Sequence, residues 1–123
     1  MNLRTVFTAN AIVALVFGIV FLVVPGTGTG IYGAELSDAG LLVTRLFGAA
    51  VFGYSILTWL ARNAEESEAR KAIVTSLFIG WGIGFVVALI FQIQGVVNVY
   101  GWVNVAIYLL FTLGFGYFQF VKS

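Results

Sequence analysis

The sequence predicts an all-α integral membrane protein, a four-helix bundle with antiparallel neighbours and both termini on the inner side. Three observations predict it. First, 61% of the 123 residues are hydrophobic and only 9% are charged, against about 45–50% and about 25% in ordinary soluble domains. A fold this small has too much surface to hide so many apolar side chains from water, so lipid is the expected solvent. Second, four apolar stretches each reach the roughly 20 residues that a helix needs to cross a bilayer. Third, Lys and Arg collect on one side of those stretches.

The first stretch covers about residues 5–24 and stops at Pro25-Gly26. Arg4 gives it a basic start, but its apolar part is long for a cleaved signal. Leu22-Val23-Val24-Pro25 offers no A-x-A cleavage pattern either, so it is read as a retained helix. The second covers about residues 41–61, the third about 72–94 and the fourth about 101–121. Together they make residues 1–123 a single membrane domain, with no room for a soluble one.

Three connections join them. Residues 25–40 are Gly-rich, with Glu35 and Asp38; residues 62–71 hold Glu65, Glu66, Glu68, Arg70 and Lys71; residues 95–100 are short enough to make the last two helices an antiparallel hairpin. Cytoplasmic segments are enriched in Lys and Arg. Of the six basic residues, Arg4, Arg62, Arg70, Lys71 and Lys122 fall in the two tails and the middle connection. With four spans these segments share one face, which predicts a cell-membrane protein with both termini cytoplasmic. Tyr100 and Trp102 then fit the outer aromatic belt, and Trp59 the inner one.

Composition also excludes functions. The chain has no Cys and no His, hence no thiolate metal site, no disulfide, no usual haem or zinc ligand and no neutral-pH proton shuttle. A net charge of +1 gives no electrostatic reason for a nucleic-acid partner. No Asp or Glu lies inside a predicted span, so a proton-coupling carboxylate is missing. No Ser or Thr has a base beside it in the membrane. The chain is therefore expected to be no enzyme and to hold no cofactor or metal.

The strongest local pattern is a row of small residues in the third stretch: Ala72, Ser76, Gly80, Gly84 and Ala88, with Gln92 next in line. Residues four apart share a helix face, and small residues let helix backbones approach closely in lipid. The row predicts a helix-packing face, used either between chains or, as favoured here, within one bundle. Asn10, Ala14 and Gly18 make a partial row in the first stretch, and Arg45, Ala49 and Gly53 another in the second. Asn10 is expected to glue helices rather than bind a ligand.

Arg45 is the one charge well inside a predicted span. It is expected near the outer surface, snorkelling or paired with Asp38, Glu35 or Gln92. With Gln92, Gln94, Asn98 and Asn104 it forms a candidate polar cluster. That cluster is either a closing network of hydrogen bonds, the reading favoured, or an outer pocket for a small polar or anionic ligand. Two further motifs are set aside. Gly28-Thr29-Gly30-Ile31-Tyr32-Gly33 spells G-x-G-x-x-G but has no βαβ context and is expected to be a flexible loop. Glu65, Glu66 and Glu68, near Arg70 and Lys71, read as a solvated turn.

The layout resembles that of the small four-helix bacterial membrane proteins grouped as DoxX-like. The resemblance covers nearly the whole chain and rests on Pro25, Tyr32-Gly33, Arg45 with Gly48, and the closing Leu113-Gly114-Phe115-Gly116-Tyr117-Phe118. It implies a role as an accessory subunit of a larger membrane complex. The expected function is thus a non-enzymatic accessory or scaffold protein that packs through its third helix. The bilayer is its surrounding, and a homo-oligomer or a larger membrane complex its partner. The alternative is a small oligomeric transporter or channel with its site around Arg45.

Overall fold

The computed structural model describes residues 2–121. Lys122, used above for orientation, lies outside them. Among the described residues are five α-helices: α1 (Leu3–Val23), α2 (Pro25–Gly30), α3 (Asp38–Ala61), α4 (Glu68–Ile93) and α5 (Gly101–Phe120). The four long ones, α1, α3, α4 and α5, are each long and apolar enough to cross a membrane. They match the four expected stretches, and the fifth, α2, lies in the Gly-rich 25–40 connection.

The long helices begin where side chains can serve their free N–H groups. Ser37 accepts from the Gly40 amide and Ser67 from the Arg70 amide, so α3 and α4 start before their apolar runs do. Asp38 and Glu68 follow in the first turns, where the helix dipole favours negative charge. Asn2 does the same for α1, its side chain accepting from the Thr5 amide at 2.9 Å.

Two ends need glycine. The Gly95 N–H bonds the Gln92 carbonyl and the Val96 N–H bonds the Phe91 carbonyl. This pair of bonds closes α4 with Gly95 in the left-handed region at φ 76°, a conformation that L side chains rarely adopt. The same pair recurs after α2, from Gly33 to Gly30 and from Ala34 to Thr29, with Gly33 at φ 79°.

Helix α2 corrects the expectation of a flexible loop at the Gly-Thr-Gly segment. Gly-Thr-Gly-Thr-Gly is a poor helix sequence, but Pro25 sits at the helix start, where its ring presets the backbone and its missing N–H costs nothing. The Thr29 hydroxyl donates back to the Pro25 carbonyl at 3.0 Å. Gly28 is buried, and a Cβ there would stand 2.8 Å from the Val20 side chain and 3.0 Å from the Phe21 ring. The glycine lets α2 fold down on the end of α1.

The chain divides into two compact units, Phe7–Arg62 and Met1–Val6 with Asn63–Ser123. In the first, α1 and α3 run antiparallel: Asn10 meets Thr58, Ala11 meets Ser55, and Gly18 meets Phe52. In the second, α4 and α5 run antiparallel, with Thr75 meeting Gln119 at one end and Gln92 meeting Gly101 at the other.

Candidate functional site

The α1–α3 pair crosses where each helix carries a glycine, Gly18 on α1 and Gly48 on α3. A Cβ on Gly48 would stand 2.6 Å from the Leu22 amide nitrogen and 3.0 Å from the Gly18 carbonyl oxygen. One on Gly18 would stand 2.8 Å from the Phe52 amide nitrogen. These are backbone atoms, so no rotamer change relieves the overlap.

Further along the same seam, polar groups replace glycine. The Ser55 hydroxyl donates to the Ala11 carbonyl at 2.7 Å. The Asn10 amide donates to the Thr58 hydroxyl at 3.2 Å, and that hydroxyl donates to the Tyr54 carbonyl at 2.8 Å. Asn10 and Thr58 are 1% and 0% exposed. Interhelical bonds of this kind hold helices together where no water competes.

The expected rows divide between contact and surface. Asn10, Ala14 and Gly18 are all buried, and Asn10 and Gly18 face α3. On α3 the contact positions are Gly48, Phe52, Ser55 and Thr58, whereas Arg45, Ala49 and Gly53 are exposed. The seam repeats in steps of three and four, the spacing that keeps two antiparallel helices in register.

Helix α4 shows the same divergence. Gly84 meets Tyr108, whose ring occupies the space a Cβ would need, and Ala88 is half-buried. Ala72, Ser76 and Gly80 are exposed, and nothing lies within 4 Å of a Cβ built on Gly80. The reason is geometric. Four residues exceed one turn, so a row at that spacing drifts by about 40° per step. From Ala72 to Gly84 it turns through about 120° and leaves any one neighbour.

The face that α4 gives α5 is aromatic at its middle. Trp81 stacks on Phe111 at 4.8 Å and meets Tyr108 edge-on at 4.9 Å. Phe78 meets Phe120 edge-on at 5.3 Å. Toward the start of α4 the Thr75 hydroxyl donates to the Gln119 amide oxygen at 2.8 Å.

Of the candidate polar cluster, Gln92 and Asn98 come together at the α4–α5 turn, with Gly101 beside them. The Gln92 amide donates to the Asn98 carbonyl at 3.1 Å, which also accepts from the Gly101 N–H at 3.0 Å. The Asn98 side chain accepts from the Tyr100 N–H at 3.0 Å. A Cβ on Gly101 would collide with the Gln92 amide oxygen, so glycine is what lets the amide lie in the turn. Only an NH2 group can bond the Asn98 carbonyl, and this fixes the amide with its buried oxygen left without a partner among the described residues.

Gln94 is exposed at the end of α4, and Asn104 is half-buried on α5. Arg45 belongs to the other unit; its side chain is exposed, and Gln92 spends its donor within its own hairpin. Arg62 finds an aromatic neighbour: its guanidinium lies 3.7 Å over the Trp59 ring and also bonds the Trp59 carbonyl. Among the described residues no group of three or more His, Cys, Asp or Glu could hold a metal ion.

What the sequence reading missed has identifiable signals. Gly48 and Ser55 are small residues seven apart, a heptad spacing that competes with the four-residue row beside it. Gly101 follows directly on an Asn-x-Tyr turn, a place where helix starts favour side-chain acceptors.

No curated protein and no solved structure matches the chain. A family model described as a domain of unknown function, DUF8292, matches residues 1–119. With nearly its whole length matched, the chain belongs to the DUF8292 family.

Proposed function

We propose that the protein is a non-enzymatic integral membrane protein, an accessory or scaffold subunit of a membrane assembly, with both termini and the 62–71 connection in the cytoplasm. One pattern supports this best. Each antiparallel pair hydrogen-bonds polar side chains across its seam, Ser55 to Ala11 in one and Thr75 to Gln119 in the other, while large apolar side chains stand exposed. Leu60 is 72% exposed, Ile93 71% and Leu110 66%. Exposed apolar area on that scale in a small chain marks a surface that meets lipid or another apolar partner. In lipid every backbone group must be satisfied within the fold, and the capped, glycine-closed helices suit that requirement.

The non-enzymatic part rests on the chain's chemistry. It has no His and no Cys, and no carboxylate beyond the first turns of α3 and α4 lies in a long helix. The DoxX-like resemblance of the layout points the same way, toward a subunit that accompanies other membrane proteins. Membrane fractionation with an alkaline wash, then identification of proteins that co-purify in mild detergent, tests both parts. A chain released by the wash would refute membrane integration. A chain that purifies alone and moves small anions across liposomes would replace the scaffold reading with transport.

A further inference from the structure

Arg45 is a cation on an apolar surface of α3. Its side chain is exposed, and among the described residues it makes no hydrogen bond and no ion pair. Its neighbours on the helix, Leu42, Val43 and Leu46, are 59%, 64% and 61% exposed. A guanidinium keeps its charge and has five donors, and such a group beside lipid finds a partner or reaches the interface. On the side of the helix away from the Asp38 end, Ala49 and Gly53 continue the row at four-residue spacing. Both are exposed, and a Cβ on Gly53 would meet only open space. The surface thus offers a charged head with a smooth, shallow strip running from it.

We propose that Arg45 binds the phosphate of one phospholipid, whose tail lies along Ala49 and Gly53. This rests on the membrane reading above. Arg45 lies about 10 Å along α3 from Asp38, at about 1.5 Å per residue. Side chains on a helix tilt toward its N-terminus, so a long one here rises toward headgroup depth. The planar fork matches two phosphate oxygens. Free phosphate would gain nothing from the apolar strip, whereas a phospholipid uses both parts of the surface.

The test is native mass spectrometry of the full chain in detergent, titrated with phosphatidylglycerol. Arg45→Gln is expected to weaken retention roughly tenfold or more, the loss of a charge-assisted bond, with Arg45→Lys between the two. Gly53→Leu, whose Cβ meets nothing within 4 Å, is expected to weaken retention without lowering the melting temperature. Diacylglycerol, which has the tails and no phosphate, is expected not to be retained, and millimolar inorganic phosphate not to displace the phospholipid. Equal retention by wild type and Arg45→Gln, both folded, overturns the proposal and leaves the membrane reading intact. So does displacement by inorganic phosphate. Loss of a co-purifying protein from Arg45→Gln with lipid retention unchanged overturns it in favour of an acidic partner helix. A chain that stays soluble without detergent removes the membrane reading and this proposal together.

Discussion

Replacing Gly48 by Ala adds one methyl group where α1 and α3 cross. That carbon would stand 2.6 Å from the Leu22 amide nitrogen and 2.8 Å from the Phe21 carbonyl carbon. Non-bonded heavy atoms settle at about 3.5–4.0 Å, so the helices must part by about 1 Å at the crossing. Overpacking of this kind costs typically about 1–3 kcal/mol. The parting would also lengthen the Ser55 to Ala11 bond, now 2.7 Å. The comparison is Gly53→Ala on the same helix, where a Cβ meets nothing within 4 Å. Both changes gain the same helix propensity, about 1 kcal/mol, so their difference reports packing alone. Thermal unfolding of the two variants in one detergent should place Gly48→Ala below Gly53→Ala by about 1–3 kcal/mol. Equal stability would refute the claim that these backbones touch.

Three further outcomes follow from the same geometry. Gly84→Leu should lower the melting temperature more than Gly82→Leu, because Tyr108 fills the space beside Gly84 while Gly82 has only the Thr112 methyl at 3.7 Å; equal tolerance would remove Gly84 from the α4–α5 contact. Ser55→Ala removes an interhelical donor and leaves the Ala11 carbonyl its helical bond, so the loss should be about 0.5–1.5 kcal/mol, read by the same unfolding assay; no loss would mean the bond is not made in lipid or detergent. Gly101→Ala should disrupt the α4–α5 turn, since its Cβ collides with the Gln92 amide. Gln92→Ala should restore much of that loss in the double variant, and strict additivity of the two changes would contradict the direct contact.

The four long apolar helices were legible in the sequence because hydropathy over twenty residues is a strong, one-dimensional signal. Their starts were legible less well: an apolar run marks where lipid would begin, while Ser37 and Ser67 mark where the helix begins, a few residues earlier. Which face each helix turns to its neighbour was legible only for α1. A row at four-residue spacing describes a slow spiral, and the sequence does not say which part of the spiral the partner occupies. On α3 the partner takes Gly48 and Ser55, leaving Arg45, Ala49 and Gly53 outside. On α4 it takes Gly84 and leaves Gly80. Gln92 and Asn98 could be grouped by their nearness in the chain, and they meet in the α4–α5 turn, while Arg45 belongs to the other unit. Helix α2 was not legible because its three glycines argue against a helix, although Pro25 at its start argues for one.

In the proposed topology four helices cross a membrane, with the 62–71 connection inside and the 25–40 connection outside. The chain has no Cys, so single cysteines report location directly. Ser37 and Ser67 are N-caps and are left in place, since losing a cap costs typically about 1 kcal/mol. Glu35→Cys and Ala64→Cys stand instead at exposed positions in the same two connections. A membrane-impermeant maleimide applied to intact cells should label Glu35→Cys, and should label Ala64→Cys only after permeabilisation. Labelling of Ala64→Cys alone would invert the topology, and equal labelling of both in intact cells would contradict the four-span account.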